Sequence, residues 1–161
     1  MKIFVDGSCI GNGSNNSSGG YGVVIFDNEN NYISHYSHYE KNTTNNIQEL
    51  KSLIYSFTIA YQYPSKSFII YSDSSYGIQV FESWSKNWER NNWRKSDGQI
   101  IKNLELIKEG YQLYKQLNNI SLVKVKGHND IIGNEMADAL ATNNIDKFYS
   151  LLNKNRRELN E

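Results

Sequence analysis

Four acidic residues stand far apart in the chain, each in a specific local setting. Asp6 lies in Val5-Asp6-Gly7-Ser8, Glu49 opens an apolar-periodic helix, Asp73 lies in Tyr71-Ser72-Asp73-Ser74, and Asp138 lies in Glu135-Met136-Ala137-Asp138. Brought together, four carboxylates repel one another unless cations hold them. An all-oxygen donor set suits Mg²⁺ or Mn²⁺ rather than zinc, which favours His and Cys. Two such ions about 4 Å apart can activate a water and stabilise the leaving oxygen of a phosphodiester. Taken singly, Glu49 or Asp138 reads first as an ordinary acid in an early helical turn. Asp6 is different, because an acid flanked by Phe4, Val5 and Gly7 in a core strand needs a partner.

The elements that would carry these acids can be read from periodicity. Residues 2–8 form an apolar strand, followed by a Gly/Asn/Ser-rich loop from Gly11 to Gly20. Residues 21–26 and 32–39 are two further strands around the turn at Asp27–Asn31, so the chain opens with an antiparallel meander. Ile47, Leu50, Ile54, Phe57 and Tyr61 keep helical spacing, with capping residues at positions 43–46 in front of them. Phe68-Ile69-Ile70-Tyr71 is a short strand whose exit carries Asp73. Ser74 to Trp84 is helical, and Ile100, Leu104, Ile107, Tyr111 and Tyr114 mark another helical stripe. A fifth strand spans Ile120 to Val125, a loop passes through Gly127-His128, and Asn134 to Ala141 is a helix. The order predicts an α/β fold: a five-stranded mixed sheet, antiparallel in its first three strands, flanked by helices. Residues 1–142 form the domain, and the polar tail 143–161 carries a short helix and a frayed end.

Bulk composition narrows the classes. The chain has 161 residues with 17 basic and 17 acidic side chains, so no global field announces a nucleic-acid partner. A local basic patch could still serve one. The single cysteine, Cys9, rules out an intrachain disulfide and fits a reducing compartment. Strand character starting at Lys2 leaves no room for a signal or transit peptide, and no apolar run approaches a membrane span. These features lead to the expectation of a cytoplasmic single domain, long enough to bury a core and acting as a monomer, with no membrane partner.

The motifs carry more than the spacing does. Asp6-Gly7-Ser8-Cys9 with Gly11-Asn12, Gly19-Gly20-Tyr21-Gly22, Thr43 to Leu50, Ser72-Asp73-Ser74 with Tyr76, and Val125-Lys126-Gly127-His128 followed by Asn134-Glu135 and Asp138 occur in that order. Together they resemble the type I ribonuclease H family from about Ile3 to Ala141. The resemblance implies endonucleolytic cleavage of the RNA strand of an RNA·DNA hybrid, leaving 5′-phosphate and 3′-hydroxyl ends. It implies two Mg²⁺ ions, with Mn²⁺ able to substitute, held by Asp6, Glu49, Asp73 and Asp138. It assigns His128 to proton transfer or product release. Cys9, Asn12, Asn45 and Asn46 would line the RNA side of the groove, where a protein tells ribose from deoxyribose by its 2′-hydroxyl. Thr44 and Asn103 match positions that grip a DNA phosphate, and Tyr76 and Trp88 match aromatics that pack on DNA sugars.

The stretch from Trp84 to Lys95 resembles a basic protrusion, or handle, that clamps the duplex in some relatives. Its tryptophans (Trp84, Trp88, Trp93) are assigned mainly to packing, and Lys86, Arg90, Arg94 and Lys95 to phosphate contact. Several features depart from the family pattern. Glu82 and Glu89 dilute the handle, Asn42 stands where many relatives have an arginine, Ser75 replaces a longer side chain, and the loop from Ser14 to Ser18 is long. The expected result is a complete catalytic set with a reduced grip on substrate. A separate hybrid-binding domain before Ile3 is not expected.

Two other readings compete. One is a catalytically weak nucleic-acid-binding module on the same fold, against which the intact acidic set argues. The other is an integrase, transposase or Holliday-junction nuclease of related fold, against which the Thr44-Asn45-Asn46 and Gly127-His128 segments argue.

Overall fold

A computed structural model of the chain describes residues 1–126 and 131–161. His128 therefore lies outside the described residues. Five strands, β1 (Lys2–Ile10), β2 (Ser18–Phe26), β3 (Tyr32–Lys41), β4 (Phe68–Ser72) and β5 (Ile120–Lys124), form one sheet in the order β3-β2-β1-β4-β5. The first three are antiparallel, and β4 and β5 join in parallel. The helices are α1 (Asn45–Gln62), α2 (Ser75–Gln79), α3 (Ser85–Arg90), α4 (Leu104–Tyr114), α5 (Ile132–Ala141) and α6 (Ile145–Leu159). A π-helical turn, Val80–Trp84, joins α2 to α3.

Alternation along β1 divides the interior in two. Ile3 and Val5 face a core shared with Leu50, Leu53 and Phe57 of α1 and Ile107 of α4. Phe4 faces the opposite core, with Met136, Ala137 and Leu140 of α5 and Phe148 and Leu152 of α6. Successive strand side chains point to opposite faces, so Asp6 falls on the Phe4 side, toward α5. Among the described residues, no helix is long and apolar enough to cross a membrane.

Two glycines set how closely helices approach the central strand. A Cβ at Gly7 would stand 2.4 Å from the Glu49 backbone nitrogen, so only hydrogen there lets the start of α1 lie against β1. A Cβ at Gly22, which pairs with Asp6, would stand 2.4 Å from the Ala137 carbonyl oxygen. That glycine lets α5 press onto the other face.

The structure differs from the sequence expectations in several elements. Ser18 to Gly20 belong to β2 rather than the preceding loop, since they pair with Ile10, Cys9 and Ser8 of β1. Ile100 is not part of the helical stripe: α4 begins at Leu104, and Ile100 is 73% exposed in an isolated bridge with Arg94. Asn103, with φ 61°, makes the left-handed step that starts α4 afresh. The tail is ordered through a long helix rather than a short one, because Phe148 and Leu152 are anchored in the α5-side core.

Candidate active site

Asp6 and Asp73 are brought side by side by strand register. β1 and β4 run parallel with Phe4 opposite Tyr71, and each acid follows two residues later. Glu49 arrives from the first turns of α1, whose N-cap is Thr44; the Thr44 hydroxyl oxygen accepts from the Ile47 N–H at 3.1 Å. Asp138 arrives from α5 on the other side. The four carboxylates line one cleft of about 370 Å³, together with Gly7, Ser8, Asn134, Glu135 and Lys147.

Burial makes the cleft electrostatically unusual. Asp6 is only 7% exposed, and its Oδ1 accepts from the adjacent Gly7 N–H at 3.0 Å. Burial first, then the Asp73 charge and the closeness of Asp138, push the Asp6 carboxyl up to about 9. Glu49 is also raised, chiefly by burial and further by the Asp73 charge. The hydrogen bond that its Oε2 accepts from Ser74 Oγ, at 2.6 Å, opposes that rise. Ser74 Oγ in turn accepts from the Gly77 N–H at 2.9 Å and so caps α2. One hydroxyl thereby ties an acid on α1 to the start of α2.

The donor set fits a hard cation. Every candidate ligand is a carboxylate oxygen, and Asp6 is a buried acid that must carry a proton or face positive charge. Among the described residues no group of three acidic, histidine or cysteine side chains forms a ready-made cage for one ion.

The proposed substrate side chains gather at the start of α1. The Asn45 N–H donates to Asn12 Oδ1 at 3.2 Å, joining the β1–β2 loop to the helix. Cys9 Sγ lies 3.5 Å from the Thr43 carbonyl oxygen, half-buried beside the same turn. Asn45 and Asn46 are exposed. Tyr76 stands between Glu49 and Asn103. Burial raises its hydroxyl, the Asn103 amide pulls it down, and the Glu49 charge raises it. The Asn103 amide nitrogen is buried beside Tyr76.

In the handle region, Trp84, Trp88 and Trp93 pack against the α1-side core, while Lys86, Arg90, Arg94 and Lys95 are exposed. Glu89 does not dilute these cations as the sequence suggests, because Lys115 Nζ of α4 pairs with it at 3.0 Å.

Sequence reading assigned no role to Ser74, Asn134, Glu135 or Lys147. Ser74 was detectable as an N-cap candidate, though its second bond to Glu49 depends on tertiary contact. Nothing in the local sequence places Lys147 in the cleft.

This arrangement, four acids from β1, α1, the end of β4 and α5 on a mixed sheet with one helix layer per face, defines a class of nucleases, and comparison with known proteins assigns the family. The RNase H family model matches residues 1–146. The chain is 40% identical over 148 residues to ribonuclease H of Caldanaerobacter subterraneus subsp. tengcongensis, covering 91% of this chain and 92% of that one. Among solved structures, it is similar to LC9-RNase H1, a type 1 RNase H with the type 2 active-site motif, at 28% identity and TM-score 0.70 over 87% of this chain and 69% of that one. LC11-RNase H1, solved in complex with RNA/DNA hybrid, shares the fold at 22% identity and TM-score 0.63, covering 91% and 96% of the two chains. The chain belongs to the ribonuclease H family and is a ribonuclease H enzyme, a nuclease of the hydrolase class.

Proposed function

We propose that this enzyme cuts the RNA strand of RNA·DNA hybrids endonucleolytically, leaving 5′-phosphate and 3′-hydroxyl ends, with Asp6, Glu49, Asp73 and Asp138 holding two Mg²⁺ ions. The observation that carries this reading is the convergence of those four carboxylates on one cleft around a buried Asp6. When bound, the ions supply water activation and stabilisation of the departing oxygen.

The chain's own residues do the rest. Ser74 holds the Glu49 carboxylate in one orientation through its 2.6 Å hydrogen bond. The exposed amides of Asn45 and Asn46, with Asn12 beside them, offer donors and acceptors to ribose hydroxyls at the rim of the cleft. Asn103, beside Tyr76, and Thr44, the N-cap of α1, are assigned by the family resemblance to gripping a DNA phosphate. Tyr76 and Trp88 present half-buried rings for sugar contact. His128 is assigned, by the family resemblance, to proton transfer or product release.

Purified protein with Mg²⁺ should cut the RNA strand of a hybrid and spare duplex DNA and duplex RNA. Asp73→Asn should lower cleavage on the order of 100-fold or more while the circular dichroism spectrum stays unchanged. End-labelling reads the product termini. Binding without cleavage would instead support the weak binding-module reading, and cleavage of duplex DNA alone would move the chain to the integrase-like class.

A further inference from the structure

We infer that Lys147 contacts a phosphate of the bound nucleic acid beside the scissile position, supplying substrate grip from within the carboxylate cleft. The inference deepens the function proposed above and rests on it. Lys147 lines the same cleft as Asp6, Glu49, Asp73 and Asp138, and it is the only basic residue to do so among the described residues. It falls just past the segment matched by the family model, residues 1–146, so the family pattern does not account for it.

Its placement is fixed by the join between α5 and α6. The Thr142 and Asn143 N–H groups donate to the Asp138 and Leu140 carbonyl oxygens at 2.9 and 3.1 Å, and the Asn144 N–H donates to Ala139 O at 2.8 Å. Asn143 takes a left-handed conformation, φ 58°, and turns the chain back at once into α6. Asn144 Oδ1 then accepts from the Lys147 N–H at 3.2 Å as the helix cap. Phe148, next in sequence and fully buried, locks this turn onto the core. The lysine backbone is thus held rigidly at the start of α6, which packs against α5, the helix that carries Asp138.

Two plain roles for Lys147 fit poorly. A cation in the first turn opposes the helix dipole, so helix stability does not favour it there. Ion pairing does not use it either, because among the described residues no acid lies within salt-bridge distance of its ammonium group, although the cleft is rich in carboxylates. An exposed ammonium aimed at the mouth of an acidic cleft is positioned for an incoming phosphate, which the carboxylates would otherwise repel.

The test compares Lys147→Ala, Lys147→Arg and wild type by steady-state hybrid cleavage over a range of NaCl at fixed Mg²⁺, together with hybrid binding in the Asp73→Asn background. Lys147→Ala should raise KM roughly 3–10-fold with kcat within about twofold, and reduce the slope of log affinity against log salt by about 1. Lys147→Arg should restore both. An unchanged KM and salt slope would overturn the inference, as would a loss that tracks a lowered Tm and is not rescued by arginine. If wild type bound hybrid but failed to cut it, the proposed activity would fall, and the salt slope of binding would still decide the role of Lys147.

Discussion

At the scale of single residues, the site is built on one buried acid and the groups that make its charge tolerable. Asp6 is raised to about 9 because it is dry and faces Asp73 and Asp138. Its carboxylate form therefore depends on positive charge brought into the cleft. Ser74 is the second residue of consequence, since its hydroxyl both orients Glu49 and caps α2. Ser74→Ala should cost about 1 kcal/mol of stability from the lost cap and lower kcat as Glu49 loses its partner. Ser74→Thr, which keeps the oxygen, should recover most of both. Thermal melts and hybrid cleavage read the two effects separately, and an alanine variant with full activity would remove Ser74 from the site. The sequence shows Ser74 at a helix start beside Asp73 but not its bond to Glu49, because a hydrogen bond across 25 positions leaves no local pattern.

At the scale of elements, activity depends on how closely α1 and α5 lie on β1 and β2. Gly22→Ala would drive a methyl into the Ala137 backbone, where no flexible side chain can yield. Such overpacking costs about 1–3 kcal/mol, and it should also displace α5 with Asp138, so cleavage should fall more than stability alone explains. A variant with wild-type Tm and wild-type activity would show that α5 does not need this approach. The docking of α6 carries a pH dependence. His35 lies 4.4 Å from the Phe148 ring, centre to centre, and its Nδ1 is 2.6 Å from the Tyr32 hydroxyl. Burial lowers its pKa below the ordinary histidine value. The folded state thus takes up a proton less readily than the unfolded chain, so this contribution to stability is complete above about pH 6.5 and declines as pH falls from there toward the folded pKa. Titration of the His35 ring by NMR should give a midpoint below 6.5, and a midpoint above it would contradict the packing.

At the scale of the whole molecule, zero net charge leaves binding to local patches. The pairing of Glu89 with Lys115 frees the handle cations from an acid that the sequence sets among them. Replacing Arg90, Arg94 and Lys95 with alanine should leave the fold intact, as all three are exposed. It should weaken hybrid binding and reduce the salt slope by roughly 2–3, about 0.9 per phosphate neutralised on a duplex. A slope equal to wild type would exclude the handle from substrate contact. Combining that triple variant with Lys147→Ala should add the two losses, since the patches lie on separate elements.

The sequence alone determined the family motifs, the sheet with its opening meander, and the identity of the four acids. These are written in alternation, caps and short local segments, which neighbouring residues can encode by themselves. It could not determine which charges meet. Whether Asp6 is dry, whether Ser74 reaches Glu49, whether Glu89 is neutralised and whether Lys147 enters the cleft all depend on elements distant in sequence. Those contacts were decided only when Gly7 and Gly22 let two helices close on the sheet and the turn at Asn143 folded α6 back toward Asp138. Charge interactions act through space and fall with distance and burial, so the same acids and lysines acquire their function only from the packing that sets both.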